Sequence, residues 1–195
     1  MGRYNSSSRK YEKMTSSGLR SMTNREIVEE AIDTIKIGRR KSIYGKTTLE
    51  SFFTQGTTDQ SLCREGLIDI QNGIEMMLKG LIEFYGESYI EEHYTDRNSN
   101  ILEELIRFHP ELKELNNIFG ILSNDDFSFT FYKCSKFPRY NTFKTNKQFR
   151  ELAYEVIDVL IRYIDRFVVS DWKEVIDEKI ISCTLSYIMR LCKSR

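Results

Sequence analysis

"GLIDIQNGIEMMLKGLIEFYG" occupies residues 66–86. Leu67, Ile70, Ile74, Met77, Leu78, Leu81 and Tyr85 recur in it at steps of three and four, the spacing of one apolar face on an α-helix. Asp59 stands where it can cap this helix, and the pattern carries it to about Tyr85. Gly66, Gly73 and Gly80 follow one shoulder of the stripe at seven-residue intervals. Seven residues is nearly two helical turns, so the three stay in line with little drift. Each glycine costs about 1 kcal/mol relative to alanine in a helix interior. A line of three therefore predicts a second helix packed very close to this one.

Upstream, Thr23 and Glu26 form a capping-box pattern ahead of Ile27, Ala31 and Ile35. This predicts a first helix ending near Gly38. Residues 38–58 carry Gly38, Gly45, Gly56 and several Thr and Ser, and read as a loop with a short helical turn around 49–53. "YGKTT" (44–48) looks like the end of a phosphate-binding loop, but Arg40 stands where the first glycine of that pattern belongs, and no β-branched strand precedes it. Residues 1–22 are polar, with Ser6-Ser7-Ser8 and Ser16-Ser17-Gly18, and read as a disordered, basic, Ser-rich tail. Their first six residues fit a loose myristoylation pattern, with Arg3 where small residues are usual.

Downstream, Ser99 or Asn100 is expected to cap a third helix with Ile101, Leu102, Leu105 and Ile106 on its apolar face. Pro110 either kinks it or begins a new helix, and Leu112, Leu115, Ile118 and Phe119 continue the pattern to Gly120. Asn124-Asp125-Asp126 opens a loop, and alternating Phe127, Phe129 and Phe131 suit a short extended stretch. Thr145 and Gln148 form a second capping box, opening a helix to about Phe167. Ser170 then caps a last helix bearing Trp172, Ile176, Ile180, Leu185 and Leu191. About five helices and no credible sheet predict an all-α bundle, a single domain over residues 23–195.

The 195 residues are 40% apolar and 30% charged, with 29 basic side chains against 29 acidic, so any anion site must be local. No apolar run approaches the roughly 18 residues a membrane helix needs, and no signal-peptide stretch opens the chain, so a cytoplasmic protein without stable membrane insertion is expected. Cys63, Cys134, Cys183 and Cys192 form no C-x-x-C pair and have no histidine at ligand spacing. They read as free thiols, with no metal and no cofactor expected. His93 lies in a polar connector and His109 precedes Pro110, with no nucleophile near either in sequence. No catalytic residue is assigned.

One segment breaks the charge balance. Residues 133–150, "KCSKFPRYNTFKTNKQFR", hold six basic side chains (Lys133, Lys136, Arg139, Lys144, Lys147, Arg150) and no acid, with Phe137, Tyr140, Phe143 and Phe149 between them. Cations with interleaved rings suit an anionic, flat ligand: the charges meet phosphate and the rings stack on bases. By residue type, Lys136, Arg139 and Lys144 are the phosphate candidates and Tyr140 the stacking candidate, with Lys79 as a helix-borne contributor. The competing reading is a solvated loop whose aromatics plug the core and whose charges face water.

Residues 66–86 also resemble the second helix of HEPN domains, the nucleotide-binding domains of higher eukaryotes and prokaryotes. Glu75 and Lys79 match the acid and the lysine four residues on that this helix carries. "NSNILEELIRF" (98–108) resembles the family's next segment, "FPRY" (137–140) its Arg-Tyr element, and residues 146–168 its last helix, so the likeness covers about residues 59–168. Asn100 stands where a His is common, and Asn141 where Pro is common. Ribonuclease members place four to six residues between an Arg and a following His. After Arg139 those positions are Lys144, Thr145 and Asn146, and neither His93 nor His109 follows an Arg at that spacing. The resemblance thus implies a non-catalytic HEPN-like bundle that binds a nucleotide or RNA phosphate. Its alternative is a helical interaction subunit of a bacterial defence or toxin–antitoxin complex, paired with a nucleotidyltransferase. A homodimer is expected under either.

Overall fold

In the computed structural model, which describes residues 12–15, 18–21, 24–55, 60–91, 95–124, 127 and 147–168, the line of glycines meets a second helix. Helix α1 (Asn24–Thr54) runs antiparallel to α2 (Gln60–Phe84), and the two share the most extensive contact of the fold. The register repeats every seven residues on both helices: Ala31 faces Gly80, Gly38 faces Gly73 and Gly45 faces Gly66. A Cβ on Gly38 would stand 2.8 Å from the Gly73 carbonyl oxygen, and one on Gly45 would stand 2.6 Å from that of Gly66. Backbone touches backbone, which only glycine permits at this separation.

This corrects the reading of residues 38–58 as a loop. Helix α1 runs unbroken to Thr54. Its interior glycines lie on the contact face, where the lack of a side chain is what the neighbour requires. The Thr hydroxyls fold back on the helix: Thr47 donates to the Ile43 carbonyl (3.0 Å) and Thr54 to that of Glu50 (2.9 Å). "YGKTT" therefore lies mid-helix, with Gly45 against the α2 backbone, and forms no phosphate loop.

Helix α2 ends as the sequence predicts. Gly86 takes the left-handed conformation (φ 80°), its N–H donates to the Glu83 carbonyl, and the Glu87 N–H donates to that of Ile82. This pair of bonds satisfies carbonyls that the helix end would leave open. Helix α3 (Thr95–Leu105) starts earlier than Ser99. Asn98 fixes its approach: the side-chain oxygen accepts from the Ile90 N–H (2.9 Å) and the amide donates to the Ile90 carbonyl (3.1 Å). Ser99 and Asn100 lie inside the helix and reach Ser123 beyond α4. Pro110 begins a new element, a 3-10 turn (Pro110–Leu115) leading into α4 (Asn116–Leu122). Asn124 opens the following turn by accepting from the Phe127 N–H. Helix α5 (Lys147–Phe167) ends where the periodicity places it. Asp59, Phe129, Phe131, Thr145 and the expected helix from Ser170 lie outside the described residues.

The fold is an all-α bundle, with one contiguous core running from Val28 and Ile35 through Ile74, Met77 and Leu81 to Leu102, Leu115, Val156, Leu160 and Ile164. Ahead of it, in the stretch read as a disordered tail, strands β1 (Glu12–Thr15) and β2 (Gly18–Ser21) pair antiparallel, with Lys13 opposite Arg20 and Met14 opposite Leu19. The ladder consists of backbone hydrogen bonds, so the absence of apolar periodicity did not reveal it. No helix of the described residues is long and apolar enough to cross a membrane.

The glycine contact sets opposite signs for one substitution. Gly120 in α4 has nothing within 4 Å of an added Cβ, whereas on Gly73 the same atom would stand 2.6 Å from the Ser42 backbone nitrogen and 2.7 Å from the Gly38 oxygen. Gly120→Ala is expected to stabilise by up to about 1 kcal/mol. Gly73→Ala is expected to destabilise by about 1–3 kcal/mol despite its better helix propensity. Urea denaturation of both variants checks the sign.

Candidate functional site

Three polar constellations interrupt the apolar packing. The first lies on α2. Glu75 is buried, and its carboxylate accepts from the Lys79 ammonium (2.6 Å) and from the Gln71 amide (3.0 Å). Lys79 also sits over the Tyr89 ring (5.3 Å to its centroid) and reaches the Glu91 carbonyl (3.4 Å). The i, i+4 spacing makes the pair meet. It neutralises the one charged residue in that stripe, so Lys79 braces α2 against the connector that follows it.

The second constellation joins the end of α2, the 3-10 turn and α5. The hydroxyls of Tyr85 and Tyr163 hydrogen-bond to each other in the core. The His109 ring packs on Tyr85 (4.4 Å between centroids), and its Nδ1 lies 3.7 Å from a Glu111 carboxylate oxygen. His109 is thus a packing histidine, 3% exposed. Burial holds both phenols well above the ordinary tyrosine range; Tyr163 and Glu111 add to the shift at Tyr85.

The third is a ladder between α1 and α5, and here charge remains over. Arg39 makes two bonds to Asp165 (both 3.1 Å), and one heptad on, Lys46 makes two to Asp158 (2.9 and 3.0 Å). The next α1 position in this series is Phe53; seven residues before Asp158 on α5 stands Glu151, and it is its neighbour Arg150 whose guanidinium carbon stands 3.5 Å from the Phe53 ring centroid. Each of the first two rungs pairs an α1 cation with an α5 acid. The third puts the cation on α5 and sets it on an aromatic ring. Arg150 Nε is shielded from solvent and has no hydrogen-bond partner among the described residues. Tyr154, one turn along α5, carries the Lys46 ammonium over its ring (5.0 Å). Burial, with Glu50 adding and Arg150 opposing, pushes the Tyr154 phenol up to about 12. Burial also raises the Cys63 thiol, against the opposing charge of Arg150.

Of the expected site residues, Lys79 lies on α2 in its ion pair, away from the ladder. Lys136, Arg139, Tyr140 and Lys144 lie outside the described residues. Arg150, the last cation of the basic segment, is described, and the structure gives it a setting the sequence did not reveal. Its spacing from Asp158 and Asp165 held a signal: the three share one face of α5, the face that α1 meets. Among the described residues, no group of three or more His, Cys, Asp or Glu side chains could hold a metal ion.

Two outcomes test these clusters. Lys79→Met alone leaves the Glu75 charge without its ammonium in a site about one-tenth exposed, and is expected to cost about 3 kcal/mol. Adding Glu75→Gln should recover most of that loss in urea titrations. For Tyr85 and Tyr163, the folded-state values lie above those of the unfolded chain. Their contribution is therefore complete below about pH 10 and is lost as pH rises beyond it. The denaturation midpoint should fall above about pH 10, and more shallowly in the Tyr85→Phe variant.

No family model, curated protein or solved structure matches this chain.

Proposed function

We propose that this chain is a non-catalytic, HEPN-like helical module that holds a nucleotide or RNA phosphate through its basic, aromatic-bearing segment, residues 133–150. The observation that carries this reading is the distribution of charge. The cations that join described helices to one another have carboxylate partners: Arg39 with Asp165, Lys46 with Asp158, Lys41 with Asp69, and Arg166 of α5 with Glu114 of the 3-10 turn. The basic segment contains no acid of its own, and its described end, Arg150, meets a ring in place of a carboxylate. A neutral chain that pairs these interhelical cations with acids and concentrates six basic residues in one acid-free segment supports a local attraction for anions at that segment. The all-α fold and the ion-paired Glu75 and Lys79 within the long second helix are in keeping with the resemblance. Absence of the Arg–His spacing used by ribonuclease members supports binding without cleavage.

Under this reading, Lys136, Arg139 and Lys144 meet phosphate oxygens and Tyr140 stacks on a base. Lys79, its charge already matched, serves the scaffold. The double substitution Lys136→Glu/Arg139→Glu is expected to abolish binding of a fluorescein-labelled oligoadenylate while leaving the circular dichroism spectrum unchanged. Wild-type affinity should fall steeply with salt, because phosphate contacts release condensed counterions. Undiminished binding by the folded double variant would remove the segment from the site.

A further inference from the structure

We propose that Arg150, seated over Phe53 at the third rung of the α1–α5 ladder, is itself a phosphate-contacting residue, and that Phe53 is its positioning residue. The inference rests on the nucleotide-phosphate reading above and extends it to two residues of the helical scaffold. In the first two rungs, the register of α1 against α5 matches cation to carboxylate, Arg39 to Asp165 and Lys46 to Asp158. At the third, α1 offers Phe53 and α5 offers Arg150. The ring holds the guanidinium in place without neutralising it. An aromatic face attracts the cation through its quadrupole but leaves the full positive charge, and it accepts no N–H bond in the plane of the fork. Among the described residues Arg150 has no carboxylate partner, and its Nε is a buried donor without an acceptor.

The surroundings suit an anion. The neighbouring ring on α5, Tyr154, keeps its phenol neutral across the physiological range, so it brings no negative charge of its own beside Arg150. Phe53 is itself 41% exposed, so the seat opens to solvent. Arg150 also sits at the start of α5, whose first turn bears no acid. A guanidinium held at a fixed place, with its fork uncompensated, suits bidentate recognition of a phosphate, where lysine acts only as a point charge. The ligand class is a nucleotide phosphate, whether on a free nucleotide or in an RNA strand.

The test measures anisotropy of fluorescein-labelled oligoadenylate and of a labelled ATP at several salt concentrations. It compares wild type, Arg150→Gln, Arg150→Lys and Phe53→Leu, each checked by circular dichroism. For the probe that wild type binds, Arg150→Gln is expected to weaken affinity about tenfold and to lower the slope of log affinity against log salt by about one. Arg150→Lys and Phe53→Leu should weaken it severalfold with the slope retained, because the charge stays while the fork or its seat is lost. A purely structural Arg150 would leave the slope of folded Arg150→Gln at the wild-type value, and that result overturns the inference. If Arg150→Gln does not fold, Arg150→Lys decides, and wild-type affinity in that variant overturns it. Preference for the oligomer assigns the site to RNA, and equal binding of ATP assigns it to a free nucleotide; either supports the inference. Loss of binding in Lys136→Glu/Arg139→Glu with no change in the Arg150 variants leaves the reading of the basic segment standing and sinks this inference alone. Failure of wild type to bind either probe sinks both.

Discussion

Backbone contact between α1 and α2 is the constraint from which the rest of the bundle follows. Ala31 against Gly80, Gly38 against Gly73 and Gly45 against Gly66 bring two long helices closer than side chains would allow. An added Cβ at these glycines would meet main-chain atoms, which cannot rotate aside. The close approach offsets the helix propensity that glycine sacrifices, since close-packed atoms gain dispersion energy along the whole seam. It also fixes register, because a slip of even one residue would drive a side chain into the facing backbone. Ser42, buried opposite Gly73, belongs to the same seam and is tolerated there for its size.

With α1 and α2 locked, the two flanks of the hairpin have different partners. Helix α5 lies along one, aligned by Arg39 with Asp165 and Lys46 with Asp158. These pairs are one-quarter to one-half exposed, so each is worth at most about 1 kcal/mol. Their larger contribution is direction and register, and the same register delivers Arg150 onto Phe53. Helix α3 approaches α2 from the connector, guided by Asn98 binding both polar groups of Ile90. The buried Tyr85–Tyr163 bond then ties α2 to α5 across the core.

A division of labour among cations results. Lys79, Arg39 and Lys46 are compensated and hold helices together. Arg150, the described end of the acid-free stretch 133–150, meets a ring where Arg39 and Lys46 meet carboxylates. In a chain with no net charge, six basic residues without an acid over 133–150 are a local excess along the sequence that the composition as a whole lacks.

By itself, the sequence determined the fold class, the extent of α2 to about Tyr85, the end of α5 and the need for a close neighbour along Gly66, Gly73 and Gly80. These are local matters of periodicity, capping and glycine placement. It did not reveal the length of α1. Gly38 and Gly45 disfavour helix when only the local chain is considered, and the reason they are accepted lies on α2, across the seam. The β1–β2 pairing escaped because backbone hydrogen bonds leave no side-chain pattern. The candidate site divides in the same way. A run of six cations without an acid was legible from charge alone, whereas which cations are neutralised depends on side chains more than a hundred residues apart. Only the tertiary register of α1 on α5 decided that Arg39 and Lys46 meet carboxylates while Arg150 meets a ring.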